Sequence, residues 1–229
     1  MFEYMVNNIG HIKERIKNAA QRTNRSPDEI TLVAVSKTYP ADAIKAAVDF
    51  GVTDIGESRI QDAEPKLLSL GGIARWHMIG HLQTNKAKKA VGLFDMIQSV
   101  DSIKLAESVN RHAGDAGKKM DCLLELNSSG EEAKYGFEPD DVLSAIDTIM
   151  GFENISLCGL MTIGPFVDDD KPIRNAFRIT KELYIKSRDK IGDSFSILSM
   201  GMSDDFEIAI EEGSNMVRIG TAIFGPRMK

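Results

Sequence analysis

Apolar positions near the N-terminus recur at spacings of three and four: Met5, Ile9, Ile12, Ile16 and Ala19. That spacing gathers them on one face and predicts a helix over residues 5–24. Ser26-Pro27-Asp28-Glu29 then shows the Ser-x-x-Glu signature of a capped turn, with proline at the first helical position. Beyond it the pattern changes. Short apolar, β-rich runs alternate with amphipathic stretches, several of them ended by glycine. The runs predict strands over 32–35, 53–55, 76–79, 96–100, 122–126, 157–163, 196–200 and 216–219. The stretches between predict helices over 41–50, 59–70, 84–91, 102–116, 139–150, 172–191 and 204–212.

Eight strands alternating with helices imply a parallel sheet, and eight is the number that closes a barrel. A doubly wound open sheet usually has fewer strands at this length and a glycine-rich first turn. Here the first turn reads Ser36-Lys37-Thr38-Tyr39-Pro40, without glycine. The expected fold is therefore α/β, a (β/α)8 TIM barrel with an extra N-terminal helix, as a single domain over residues 1–229. Little chain follows the eighth strand, so its helix is expected to be missing or very short. The N-terminal helix would cover the resulting gap. Two long polar loops, over 127–139 and 165–171, follow strands, on the side where barrels place function.

Composition narrows the partners. With 42% hydrophobic and 27% charged residues the chain is an ordinary globular one. Its 28 Lys+Arg against 34 Asp+Glu give a net charge of −6. Nucleic acid and an anionic membrane both need a basic face, so neither is expected as the main partner. The first residues lack a basic stretch followed by an apolar one, and no run is long enough to span a membrane. A cytoplasmic protein is expected. No strong apolar stripe is left over once the barrel is built, which points to a monomer. Cys122 and Cys158 sit in apolar strand runs without metal-ligand spacing. They read as small buried hydrophobes, and no metal site is expected.

Barrel chemistry comes from the C-terminal ends of strands and the loops after them. Val33, Val35 and Lys37 alternate, so Lys37 leaves strand one facing the barrel mouth. A lysine there is costly unless partnered, and a desolvated one is a nucleophile for carbonyls. The pattern leaves two readings open, a solvated loop lysine or a Schiff-base lysine, and it does not name the aldehyde. The loops after strands seven and eight read Ser199-Met200-Gly201-Met202-Ser203 and Arg218-Ile219-Gly220-Thr221. Barrels frequently hold phosphate at these two loops. Glycine lets backbone approach an anion, and Ser203 and Thr221 offer hydroxyls. Ser203 also stands where a helix cap is expected, with Asp204 and Asp205 pointing to solvent. Arg218 interrupts an apolar strand and so faces inward or into a groove. His77 and His81 flank Ile79 at the end of strand three. With no acidic orienter in the local sequence, both read as lining groups, and Lys86, Lys88 and Lys89 as a solvated face.

Four segments together resemble the pyridoxal-phosphate homeostasis protein family, the PLP-binding barrels. They are Leu32 to Lys37, His77 to Lys86, Gly159 to Ile163, and the highly specific run from Leu198 to Gly225. The resemblance implies a barrel like the N-terminal domain of alanine racemase. It implies pyridoxal phosphate (PLP) held as a Schiff base on Lys37, its phosphate near Ser203, Gly220 and Thr221, and Arg218 near the pyridine nitrogen. Ser58, His81 and Met200 are counted among the residues expected around the cofactor. Gly56-Glu57-Ser58 departs from the family's usual Gly-Glu-Asn. The shorter Ser58 lacks an amide, so a contact made by that asparagine would be lost here.

The resemblance further implies a carrier or regulator of PLP supply, delivering to apo PLP-dependent enzymes, without established turnover. A PLP-dependent amino-acid racemase or related enzyme is the alternative. Alanine racemases resembling this barrel use a second domain to supply a tyrosine acid/base, and a chain ending at Lys229 is expected to lack it. A remoter reading is a sugar-phosphate enzyme in which Lys37 forms an imine with substrate.

Overall fold

The computed structural model of the chain describes residues 2–131 and 135–226. Residues 132–134, inside the first of the long polar loops, and 227–229 lie outside the described residues. Eight parallel strands form a closed barrel in chain order. They are β1 (Thr31–Val35), β2 (Asp54–Glu57), β3 (Arg75–Met78), β4 (Met96–Val100), β5 (Met120–Leu126), β6 (Ile155–Thr162), β7 (Ile197–Ser199) and β8 (Met216–Ile219). The ring shuts where β8 pairs with β1, from Thr31 opposite Met216 to Ala34 opposite Ile219. The helices that follow the strands are α2 (Ala41–Asp49), α3 (Ile60–Leu70), α4 (Ala87–Leu93), α5 (Ile103–Asp115), α6 (Val142–Ile149), α7 (Asp170–Ile191) and α8 (Phe206–Glu211).

The helix after β8 is short, as expected: α9 (Thr221–Phe224) makes barely one turn. The first helix, α1 (Glu3–Arg22), covers the seam that this leaves. It buries Met5, Ile9, Ile12 and Ile16 against the barrel's helical shell. Tyr4 Oη and Asn8 Nδ2 donate to the carbonyls of Phe224 and Ile223, each at 3.0 Å. The following turn, Pro27–Glu29, has the full capping box read from its sequence.

Strand alternation sorts the wall into two faces. Ala34, Ile55, Trp76, Ile97, Leu124, Leu160 and Val217 point outward into one continuous apolar layer beneath the helices. Inside, Met96, Leu123 and Met161 form a small separate cluster. Other inward positions are polar and buried: Asp54, His77, Gln98, Glu125, Ser199 and Arg218. A register shift in β4 between Ile97 and Val100 brings Val100 back to the outer layer after Gln98 has turned in. Gly159 is required by the wall itself, since a Cβ there would lie 1.7 Å from the Ile197 carbonyl oxygen. Cys122 is buried, but Cys158 is only half-buried; it is the extra residue where Cys122 pairs with Leu157 and Leu123 with Gly159.

Candidate functional site

Lys37 occupies the next inward position after Val33 and Val35, and it is half-buried at the C-terminal mouth. The backbone on both sides of it is tied down. Ser36 is fully buried: its N–H donates to the Gly56 carbonyl (3.0 Å) and its hydroxyl to Glu57 Oε1 (2.6 Å). Lys66, from α3, bridges the Ser36 carbonyl (2.9 Å) and the same Glu57 oxygen (2.7 Å). Thr38 is held at φ 71°, a region costly for a β-branched residue. Tyr39 donates its hydroxyl to the Gly225 carbonyl and stacks on Phe224 at 4.8 Å. Glu57 and Lys66 escaped the sequence reading because their partners lie on different elements.

Loops seven and eight meet at the same mouth. The hydroxyls of Ser203 and Thr221 lie 3.5 Å apart. Gly201, at φ 94°, has no alternative, because a Cβ would sit 2.7 Å from the Phe206 Cα. Three expectations for loop seven need correction. Ser203 does not cap α8, which starts at Phe206 with Asp205 in the cap position. Asp204 is exposed, but Asp205 is buried rather than turned to solvent. Its Oδ1 accepts the Met202 N–H at 2.6 Å, which folds the loop back on itself. Burial pushes the Asp205 carboxyl up against the opposing pull of that bond and of Arg218. Met200 is fully buried within the outer apolar layer, so its side chain does not line the mouth.

Arg218 does face inward. It is 3% exposed and donates from NH1 to Ser199 Oγ (2.6 Å) and from NH2 to the Thr162 carbonyl (2.7 Å). Burial lowers its pKa to about 10, with Asp205 and Glu125 pulling the other way, so it remains cationic at neutral pH. The contact continues across the interior: Ser199 Oγ to Gln98 Oε1 (2.7 Å), Gln98 Nε2 to His77 Nδ1 (2.9 Å), and His77 Nε2 to Asp54 Oδ1 (2.8 Å). His77 therefore has an acidic orienter after all, contributed by the neighbouring strand. Glu125, on β5, is 7% exposed and its Oε2 has no hydrogen-bond partner. Burial first, then Asp101, raises its pKa to about 7.

His81 likewise gains an acid invisible in its local sequence. Its Nδ1 lies 2.7 Å from Asp101 Oδ2, and its ring stacks on Tyr135 at 3.7 Å. Ser58 and His81 share a cleft of about 470 Å³ with Arg59, Gln83 and Lys86. The loops bearing them touch at Gly80, where a Cβ would lie 2.4 Å from the Ser58 carbonyl oxygen.

Residues 8–228 match the family described as alanine racemase, N-terminal domain. The pyridoxal phosphate homeostasis protein of Aquifex aeolicus is 37% identical over 224 residues, covering 96% of each chain. The solved structure of PipY from Synechococcus elongatus, with PLP bound, matches at a TM-score of 0.80 and 34% identity, over 93% of this chain and all of that one. Alanine racemase from Clostridium difficile shares the fold at 19% identity and a TM-score of 0.75, over 95% of this chain and 55% of that one. The chain belongs to the alanine racemase N-terminal domain family, among the pyridoxal phosphate homeostasis proteins.

Proposed function

We propose that this protein binds PLP covalently through Lys37 and serves as a carrier or regulator of PLP supply in the cytoplasm, acting as a monomer. The observation that carries the reading is the donor set at the mouth, in a chain this similar to PLP homeostasis proteins. Lys37 offers an amine on a loop tied down at Ser36 and Tyr39. Ser203, Gly220 and Thr221 offer two hydroxyls and a glycine backbone to a phosphate, 3.5 Å separating the hydroxyls. Arg218 brings a buried cation for the ring nitrogen. These groups suit an aldehyde, a phosphate and a pyridine.

When bound, PLP would supply an aldehyde for imine formation and a ring able to draw electrons from it. The chain's own residues favour holding over turnover. A guanidinium that stays charged at neutral pH, placed at the ring nitrogen, would keep that nitrogen unprotonated and weaken the ring as an electron sink. Ser36 and the Glu57–Lys66 pair fix the base of the Lys37 loop. Asp205 holds loop seven in the shape that presents Ser203. Apo PLP-dependent enzymes are the recipients that this reading implies.

The test is the visible spectrum of purified protein after PLP addition, before and after borohydride, with Lys37→Ala alongside. Colour that is reduced irreversibly onto Lys37 and absent from the variant is expected. A protein that stays colourless would remove the reading and favour the sugar-phosphate alternative. One observation favours a second reading, a racemase or related enzyme: Glu125 is a buried carboxyl raised to about 7, the range of a working acid/base. Loss of α-deuterium from amino acids, abolished in both Lys37→Ala and Glu125→Gln, would establish it.

A further inference from the structure

We propose that Ser199, Gln98, His77 and Asp54 form a positioning chain for Arg218, through which the floor of the barrel sets the orientation and polarity of the guanidinium at its mouth. The proposal deepens the reading of Arg218 as the ring-nitrogen partner and rests on it.

Four linked contacts, each between 2.6 and 2.9 Å, cross the barrel from β8 to β2. Both ends have fixed chemistry. A guanidinium only donates and a carboxylate only accepts. The Gln98 amide presents Oε1 to Ser199 and Nε2 to His77, so donation runs one way: Arg218 NH1 to Ser199 Oγ, the Ser199 hydroxyl to Gln98 Oε1, Gln98 Nε2 to His77 Nδ1, and His77 Nε2–H to Asp54. With Nδ1 accepting and Nε2 donating, His77 is the neutral Nε2–H tautomer. The second Gln98 N–H is also used, toward Met216 Sδ at 3.2 Å. Asp54 takes a further bond from the Thr53 hydroxyl at 2.7 Å. Burial raises the Asp54 pKa, but the hydrogen bonds from His77 and Thr53, helped by the charge of Arg75, more than offset it, leaving the carboxyl below its ordinary range.

The arrangement answers a physical need. Arg218 is buried, and its acceptors among the described residues, Ser199 Oγ and the Thr162 carbonyl, are both neutral. A buried cation with neutral partners is stabilised when those partners are polarised toward a distant anion, as hydrogen bonds in a chain polarise one another. Asp205 and Glu125 act on Arg218 through space, and Asp54 is the anion at the far end of its hydrogen-bond chain. Many barrels fill these inward layers with Val, Ile and Leu. Here Gln98, His77 and Ser199 are each 0% exposed, and packing alone would not select polar groups at such positions.

The experiment compares wild type, Gln98→Leu and Gln98→Glu. Gln98→Leu removes both the acceptor for Ser199 and the donor to His77. Gln98→Glu keeps the acceptor, and His77 recovers a bond by donating from Nδ1. The readouts are PLP retention and the visible spectrum of the bound cofactor across pH. Gln98→Leu is expected to weaken retention roughly tenfold, about the size of one lost hydrogen bond. It should also shift the pH midpoint of the spectrum, while Gln98→Glu restores most of the retention. A Leu variant that matches wild type in both readouts, or a Glu variant as impaired as the Leu variant, overturns the proposal. NMR of the imidazole nitrogens in cofactor-free wild type covers the case in which Gln98→Leu does not fold. The Nε2–H tautomer of His77, perturbed by Ser199→Ala, is expected; an Nδ1–H tautomer, or no effect of Ser199→Ala, overturns the chain. Failure of wild type to bind PLP through Lys37 would instead sink the cofactor reading and leave the NMR result standing.

Discussion

The two faces of the barrel wall follow opposite rules. The outer face is apolar and continuous, running from Ala34 and Ile55 round to Leu198 and Val217 under the helices. On the inner face a small apolar cluster of Met96, Leu123 and Met161 sits beside Asp54, His77, Gln98, Glu125, Ser199 and Arg218. Burial of the outer layer drives folding, because apolar area removed from water is the largest favourable term. The inner polar groups contribute little net stability, since each bond they make replaces one to water. The difference separates two tasks along the same strands. Outward residues hold the ring shut, while inward ones orient the groups that its mouth presents.

Damage to the outer layer should have the largest effect. Phe195, fully buried and stacked on Tyr184 of α7 at 5.6 Å, precedes β7 and so lies at the end of that strand away from the mouth. Phe195→Ala is expected to cost ~3–5 kcal/mol of stability. Urea unfolding of the cofactor-free protein measures it, as a lower midpoint with an unchanged slope. The outer layer also has a charged inclusion, which sharpens the comparison. Glu57 is 0% exposed, its Oε2 is unpartnered, and Lys66 supplies the balancing charge. Removing the lysine leaves a carboxylate buried without compensation. Lys66→Ala should lose about 3 kcal/mol, and adding Glu57→Gln should recover much of it. An additive double variant would show that the two do not act as a pair.

Inside the barrel, pH is the sharper probe. Glu125 has a folded pKa of about 7 against an ordinary 4.5, because burial penalises its charged form. The folded state then holds a proton between those values that the unfolded state has released. Stability is undiminished at pH below the unfolded value, falls as pH rises through the interval, and stays reduced above about 7. Glu125→Gln removes the penalty. It should stabilise the protein by up to about 3 kcal/mol above neutral pH and by little in acid. An equal gain at both ends of the pH range would mean that packing, not ionisation, is responsible.

The same contrast explains what could be read from the sequence. Outward strand positions alternate apolar with something else, so all eight strands were predictable within a residue or two, as was the short final helix. The Ser26 capping box is local and was equally legible. Interior contacts were not, because they join residues distant along the chain. His77 meets Asp54 across 23 positions, and Gln98 meets Ser199 across 101. Lys37 and Arg218 stood out as charges on strands that otherwise read as apolar, a signal of position rather than of partners. Asp205 misled for the opposite reason. Its sequence suits a solvated first turn, but closure of loop seven on Met202 turns it inward.

The smallest expected effect lies outside both faces, where α1 is docked. Arg22 pairs with Glu211 at 2.7 Å, the two side chains being 48% and 21% exposed. Such a contact looks like a clasp for the helix that covers the seam. Two facts argue against that role. Solvent screens a half-exposed pair, and Glu211 keeps a second partner in Arg174 at 2.6 Å. The helix is instead held by Met5, Ile9, Ile12 and Ile16, none more than 4% exposed. Arg22→Ala should therefore cost about 0.5 kcal/mol or less, read as urea midpoints at low and high salt. A salt-dependent loss of more than roughly 1 kcal/mol would exceed what exposed pairs contribute. It would show that charge, rather than the apolar stripe, keeps the seam between β8 and β1 closed.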